Sequence, residues 1–284
     1  MELNDNKDRI DFGIEDIPVL FRKMFVPTLL GMLSMSLITV VDGIFVGQGV
    51  GSNGLASVNV AAPLFMLFTG LGLMFGIGAS VVVTIYLSKN KFKAASITFS
   101  QTLTVSVVFV LIVTVLLLLF NRQVAQLFGA TELLMPSVLE YMNWIIPFSV
   151  FSMITVIGLF FIRLDGSPKY AMYCNVVPAV LNVFLDYIFV FPLGWGLKGA
   201  AFASGISMTT GGIMVIYYLF FMPQKLRFYK PRFSRKSLIL TAKNIIYILT
   251  LGFSAFIAET ALAFMTAMGN NVFVGLLGED GIAA

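Results

Sequence analysis

Hydrophobic residues dominate this sequence in long runs that are separated by short polar segments. Each run reaches or exceeds the ~20 residues that a helix needs to cross the hydrocarbon core of a bilayer. Membrane-spanning β-strands would alternate apolar and polar residues over segments of about ten, and the sequence lacks that alternation. We therefore predict an all-α polytopic membrane protein with seven spans, at 19–47, 55–87, 94–120, 135–162, 170–191, 199–222 and 241–277.

The composition limits the chemistry of such a protein. The chain is 58% hydrophobic and 11% charged, which is far from the mix of a soluble domain, and it contains no histidine. Proton chemistry near neutral pH must then use carboxylates. The single cysteine, Cys174, cannot form an intrachain disulfide. Without a His-rich metal motif or a paired-acid protease motif, a membrane-embedded enzyme has little support, and we predict that the protein is not an enzyme.

The basic residues predict how the chain lies in the membrane. Sixteen of the 18 Lys and Arg residues fall on one side of the membrane, beside the N-terminus or in the connectors that follow the second, fourth and sixth spans. Only Arg122 and Lys198 fall on the other side. By the positive-inside rule the N-terminus is cytoplasmic in a multi-pass protein of the cell membrane, which is the wrong orientation for a seven-helix receptor. Anionic lipid headgroups explain the net charge of +4 without any nucleic acid.

Four regions and an internal repeat follow from this pattern. We predict a cytoplasmic tail at 1–17, a six-helix bundle at 18–222, a basic cytoplasmic connector at 223–240, and the first helix of a second bundle at 241–284. The segment GSNGLAS at 51–57 resembles GEDGIAA at 278–284, and six helices separate the two, as in a parallel repeat. We expect the chain to be a truncated or incomplete version of a protein with about twelve spans.

Three acids lie in the middle of predicted spans: Asp42, Asp186 and Glu259. A carboxylate at a helix centre costs about 3 kcal/mol on insertion scales, so each acid needs a partner, a wet cavity or a proton. Asp42 and Asp186 each lie five residues before the predicted outer end of their helix. At about 1.5 Å per residue, both carboxylates are expected roughly 8 Å below the outer boundary. Glu259 has no matching acid, and a structural role for it is as plausible as a functional one.

Further polar residues surround the predicted level of the acid pair. Asn175 and Asn182 share one helix face with Asp186, and Ser204 lies five residues into the sixth span. We predict a polar chamber in which Asp42 and Asp186 approach each other. Two carboxylates in a low-dielectric cleft rarely both stay ionised, so the pair would take up a proton or a cation. In the alternative interpretation, each acid is a structural hydrogen-bond partner between helices.

Pro27 lies fifteen residues before Asp42 in the first predicted span. A proline inside a helix frees a carbonyl group and creates a bend point. The position predicts either a hinge or a plain kink.

The chain resembles the multidrug and toxic compound extrusion (MATE) transporters over nearly its whole length. The resemblance rests on Pro27 with VDGIFVGQGVGSNGLAS, on FIRLDGSPKYAMYCNVVPAVLNVFLDYIFVF, and on GWGLKGAAFASGIS. It implies a cation site at Asp42, Asn182 and Asp186, with Ser204 where the family often has Thr, and a first helix that bends at Pro27 during the transport cycle. Another branch of the family uses an acid in the seventh helix, and Glu259 stands at that position as a second acidic site.

The resemblance implies an antiporter that exchanges H⁺ or Na⁺ for organic, cationic drugs by alternating access, as a monomer in the lipid bilayer and with no cofactor beyond the coupling ion. Carboxylate and amide oxygens suit both ions, and Na⁺ would bind at Asp42, Asp186 and Asn182. The nearest alternative is a flippase for lipid-linked oligosaccharides or lipids. Such cavities tend to present several Arg or Lys to a pyrophosphate, and these spans contain essentially none.

Overall fold

The computed structural model describes residues 16–230 and 234–277. The predicted tail lies outside the described residues except for its last two positions, and the second repeat copy at 278–284 lies entirely outside them. The described residues fold into helices α1 (Ile17–Gly49), α2 (Ser52–Ser88), α3 (Phe92–Leu119), α4 (Asn121–Leu127), α5 (Met135–Ile145), α6 (Ser149–Leu164), α7 (Pro168–Val190), α8 (Gly196–Phe221) and α9 (Arg235–Leu277).

Seven helical segments of the described chain are long and apolar enough to cross a membrane, with α5 and α6 together forming the fourth. This confirms the prediction of an all-α fold with seven spans. The helix of the seventh span, α9, begins at Arg235 rather than at the predicted 241. The prediction followed only apolar residues, whereas the helix begins in a polar segment. There Ser234 Oγ accepts a hydrogen bond from Ser237 N at 3.3 Å, in the manner of an N-cap.

The fourth span is interrupted where proline enters it. A short 3₁₀ turn at Ile146–Phe148 contains Pro147 and joins α5 to α6. Proline cannot donate a backbone hydrogen bond and its ring clashes with the preceding turn, which accounts for the break at this point. The connector between the third and fourth spans contains the short helix α4, which is too short for hydrophobic periodicity to predict.

The helices pack as a bundle in which α1 lies mainly against α7, and α9 lies mainly along α2. Backbone touches backbone along the second contact. A Cβ atom added to Gly78 would overlap the carbonyl of Ile248, and one added to Gly252 would overlap that of Met74. We call the end of the bundle at residues 50–51 the α1–α2 face and the opposite end, at residues 89–91, the α2–α3 face.

Candidate functional site

The packing of α1 against α7 brings Asp42 and Asp186 together. Asp42 is half-buried and Asp186 is fully buried, with 0% of its surface exposed. The two carboxyl groups lie within hydrogen-bonding reach of each other. The structure therefore brings together two acids that are 144 positions apart in the sequence.

The described residues offer these carboxyl groups few other partners. Asp42 Oδ1 and both oxygens of Asp186 are buried, and none of them receives a hydrogen bond from the part of the chain that the structure describes. Two ionised carboxylates cannot hydrogen bond to each other, because each is only an acceptor. The contact needs either a proton on one carboxyl group or a cation between the two.

Asn182 and Ser204 extend the polar site from α7 to α8. Asn182 Nδ2 donates a hydrogen bond to Ser204 Oγ at 3.3 Å, and Asn182 is almost fully buried. Both side chains line a cavity of about 220 Å³ between α1, α6, α7 and α8. The other residues of its wall are Met35, Ile38, Ser152, Thr155, Val156, Leu159, Cys174, Asn175, Pro178, Ala179, Ser207, Met208 and Gly211.

Asn175 lies at the contact between α1 and α7, on the side of the cavity away from the acid pair. A Cβ atom added to Gly31 would lie 3.0 Å from Asn175 Nδ2, so the two helices are close at this level. Pro27 is buried one turn before Gly31, and α1 continues as a helix through it. The role of Pro27 as a hinge stays a prediction.

Tyr141 is a member of the site that the sequence analysis did not select. Its side chain is only 3% exposed, on α5, and its hydroxyl lies close enough to interact electrostatically with both Asp42 and Asp186. Tyr141 is six residues into the fourth span, so a depth count of about 9 Å places it near the level of the acids. The same count that selects Ser204, applied to the hydroxyl residues of the fourth span, would have found it.

Glu259 lies apart from this site. It is half-buried in the contact between α9 and α2, where a Cβ atom added to Gly70 would come within 2.9 Å of Glu259 Cβ. Another cavity, of about 640 Å³, lies farther along α9 and is lined mainly by apolar side chains together with Thr260 and Asn271. The structure therefore brings Asp42, Asp186, Asn182 and Ser204 into one region and leaves Glu259 at a different helix contact.

Several curated proteins are similar to this chain over most of its length. The multidrug export protein MepA of Staphylococcus aureus (strain NCTC 8325 / PS 47) is 24% identical over 285 residues, which cover 98% of this chain and 61% of that protein. MepA of Staphylococcus saprophyticus subsp. saprophyticus is 23% identical over 263 residues, which cover 91% of this chain and 56% of that protein. The chain thus spans less than two thirds of the length of these curated relatives.

Solved structures share the fold. The MATE multidrug transporter DinF-BH is 27% identical and superposes with a TM-score of 0.85 over 98% of this chain and 61% of that chain. An inward-facing multidrug resistance MATE family transporter of the MOP superfamily is 25% identical, with a TM-score of 0.77 over 87% of this chain and 55% of that chain. Residues 27–188, more than half of the sequence, match the MatE family. The chain therefore belongs to the MatE family of multidrug and toxic compound extrusion transporters.

Proposed function

We propose that this chain supplies the ion-coupling site of a multidrug efflux antiporter of the cell membrane, which exchanges H⁺ or Na⁺ for organic, cationic compounds by alternating access. The N-terminus is cytoplasmic in this proposal, so the α1–α2 face is outside. The coupling ion binds at Asp42 and Asp186, and Asn182 and Ser204 complete the site. The transporter works as a monomer and needs no cofactor beyond the coupling ion.

The contact between the carboxyl groups of Asp42 and Asp186 carries the proposal. Two ionised carboxylates only accept hydrogen bonds, so their contact needs a proton or a cation, which an efflux cycle would supply and remove. Direct carboxyl contact favours a proton, because one proton satisfies two facing oxygens. Sodium needs a shell of several oxygens, so its binding would require the two carboxyl groups to separate.

The cavity beside the pair supports an organic substrate. Its wall is mostly apolar and contains no Lys or Arg among the described residues. Its polar groups are the amides of Asn175 and Asn182 and the hydroxyls of Ser152, Thr155, Ser204 and Ser207. Such a wall suits an apolar cation better than a pyrophosphate, which binds to clusters of Arg. The cavity therefore supports drug export over a lipid-linked oligosaccharide flippase.

The experiment is efflux of a fluorescent cation such as ethidium from cells that express the full-length protein. We expect Asp42→Asn and Asp186→Asn to abolish efflux while membrane expression stays unchanged. Glu132→Gln is the matched control, because it also removes one acidic charge. The Glu132 side chain is 80% exposed, in a connector, and pairs only with Arg122 at 3.5 Å among the ion pairs described.

The coupling ion is tested in proteoliposomes. A pH gradient imposed without Na⁺ is expected to drive uptake of the dye, and a Na⁺ gradient at equal pH to drive less. Efflux that persists in both Asn variants would contradict the coupling site. Transport driven by a Na⁺ gradient but not by a pH gradient would support the same coupling site with Na⁺ in place of H⁺ as the coupling ion.

A further inference from the structure

The segment that follows α8 does not leave the bundle but crosses its α2–α3 face. We call residues 224–229 the strap. Leu226 is only 1% exposed, Phe228 is half-buried, and Arg227 and Tyr229 between and after them are exposed. This alternation is that of an extended segment with one face against a core. The basic, hydrophilic sequence around it would suggest a loose tether instead.

Asp165 holds the start of the strap. It lies in the turn between α6 and α7 and is 1% exposed. Its Oδ2 accepts a hydrogen bond from Gln224 N at 2.7 Å, and its Oδ1 accepts from Lys225 N at 2.7 Å and Leu226 N at 2.8 Å. Tyr218 Oη donates a fourth, to Oδ2, at 2.9 Å.

This arrangement explains how a buried acid is tolerated at this face. Burial raises the pKa of Asp165, and its four hydrogen bonds act in the opposite direction. Three successive backbone N–H groups form a concave site for an anion, and here the anion is a side chain of the protein itself. Without the carboxylate, three amides of the strap would lose their partner.

Two serines of α3 hold the rest of the strap. Ser96 Oγ accepts a hydrogen bond from Arg227 N at 3.1 Å, and Ser100 Oγ accepts one from Tyr229 N at 2.8 Å. Between these two bonds, the Phe228 ring packs on Phe99, with ring centroids 6.3 Å apart. The strap is therefore bound by its backbone and by its apolar side chains at once.

The first turns of α9 are bound to the same helix. Gln101, the residue after Ser100, donates to Thr241 Oγ1 at 2.8 Å and accepts from Asn244 Nδ2 at 3.0 Å. Farther along, Gly252 and Gly78 allow the backbones of α9 and α2 to touch. Both the strap and the start of α9 are thus fixed to the first six spans.

We infer that the strap is a fixed strut of the first bundle, with Asp165 as the residue that positions it. The strap then stays attached to the first bundle when the protein changes conformation. The role of the strut in alternating access rests on the proposed function. The attachment of the strap to the bundle does not rest on it and is tested by a separate experiment.

Cysteine labelling of the full-length protein, with Cys174→Ser as background, tests the attachment. Leu226→Cys reports on the buried face of the strap and Arg227→Cys on its exposed face. In detergent, where both ends of the bundle are accessible, a hydrophilic maleimide should label position 226 at least about tenfold more slowly than position 227, because a buried thiol reacts only after local opening. Equal labelling rates would overturn the inference.

Asp165→Asn is expected to raise labelling at position 226 toward that at 227 and to leave the rate at 227 unchanged. Glu132→Gln, an exposed acid in another connector, is the matched control and should change neither rate. Ser100→Ala is a milder variant that removes one bond of the strap, and it should raise labelling at 226 by a smaller factor if Asp165→Asn fails to fold. If position 226 is still labelled slowly in both the Asp165→Asn and the Ser100→Ala variants, Asp165 and Ser100 do not hold the strap. Loss of efflux in Asp42→Asn does not bear on this result.

Discussion

Asp42 and Asp186 face each other across the contact between α1 and α7, and their carboxyl groups lie within hydrogen-bonding reach. If a proton joins them, an amide in place of one carboxyl group can donate in its stead. We expect Asp42→Asn to leave thermal stability in detergent within about 1 kcal/mol of the wild type. Asp42→Ala is expected to cost about 1–3 kcal/mol, because the buried Asp186 then loses its partner. Equal stability of the two variants would contradict the hydrogen-bonded pair.

Tyr141→Phe removes the hydroxyl that lies near both acids and keeps the ring. The ring packs edge-on against Phe65, with centroids 6.4 Å apart, so the fold should persist. Loss of an electrostatic interaction worth about 1 kcal/mol between the hydroxyl and the acids predicts a roughly fivefold slower efflux. Tyr217→Phe is the control, because Tyr217 is 51% exposed. Efflux equal to that of the wild type would show that Tyr141 acts only in packing.

Gly252→Ala should weaken the contact between α9 and α2, since the new methyl group would overlap the carbonyl of Met74. We expect a loss of roughly 1–3 kcal/mol in thermal unfolding. Gly269→Ala, on the same helix, meets no atom closer than 3.9 Å and should stabilise the helix by about 0.5–1 kcal/mol. Stability changes of opposite sign in the two variants would distinguish the loss of a helix contact from a change in helix propensity.

Asn270 joins α9 to the α1–α2 face of the first bundle. Its amide donates to Asn59 O at 3.2 Å and to Phe128 O at 3.3 Å, and the residue is 6% exposed. Asn270→Leu leaves both carbonyls without this donor, so we expect a loss of about 1–2 kcal/mol. The exposed neighbour Asn271 contacts Leu127 O at a longer 3.4 Å, and Asn271→Leu should change stability by less than about 0.5 kcal/mol. Thermal unfolding of the two variants side by side is the measurement.

The spans and the acid pair could be predicted because both depend on distance along a helix. A run of apolar residues sets the span, and the number of residues from its end sets the depth of Asp42 and Asp186. The direction in which a side chain points around its helix axis cannot be predicted from such a count, because the neighbour that it meets depends on which helices pack together. Glu259 has the right depth for a membrane acid, yet it lies against Gly70 because α9 packs along α2.

Composition does not reveal contacts that backbone groups form. The strap contains Lys225, Arg227 and Gln224, which the sequence analysis assigned to a basic connector. Its attachment is made by backbone N–H groups, which every residue except proline carries and no composition reveals. The signal in the sequence is Asp165, an acid in the short turn between α6 and α7.

The burial of Asp186 bears on how the protein is made. Helix α7 carries this acid together with Asn175 and Asn182, so lipid alone is a poor environment for it during insertion. In the finished bundle α1 and α8 cover its polar face. Asp42 is already in the membrane when α7 emerges from the ribosome, whereas Ser204 arrives only with the next helix. We therefore expect α7 to depend for its retention in the bilayer on one helix made long before it and on one made directly after.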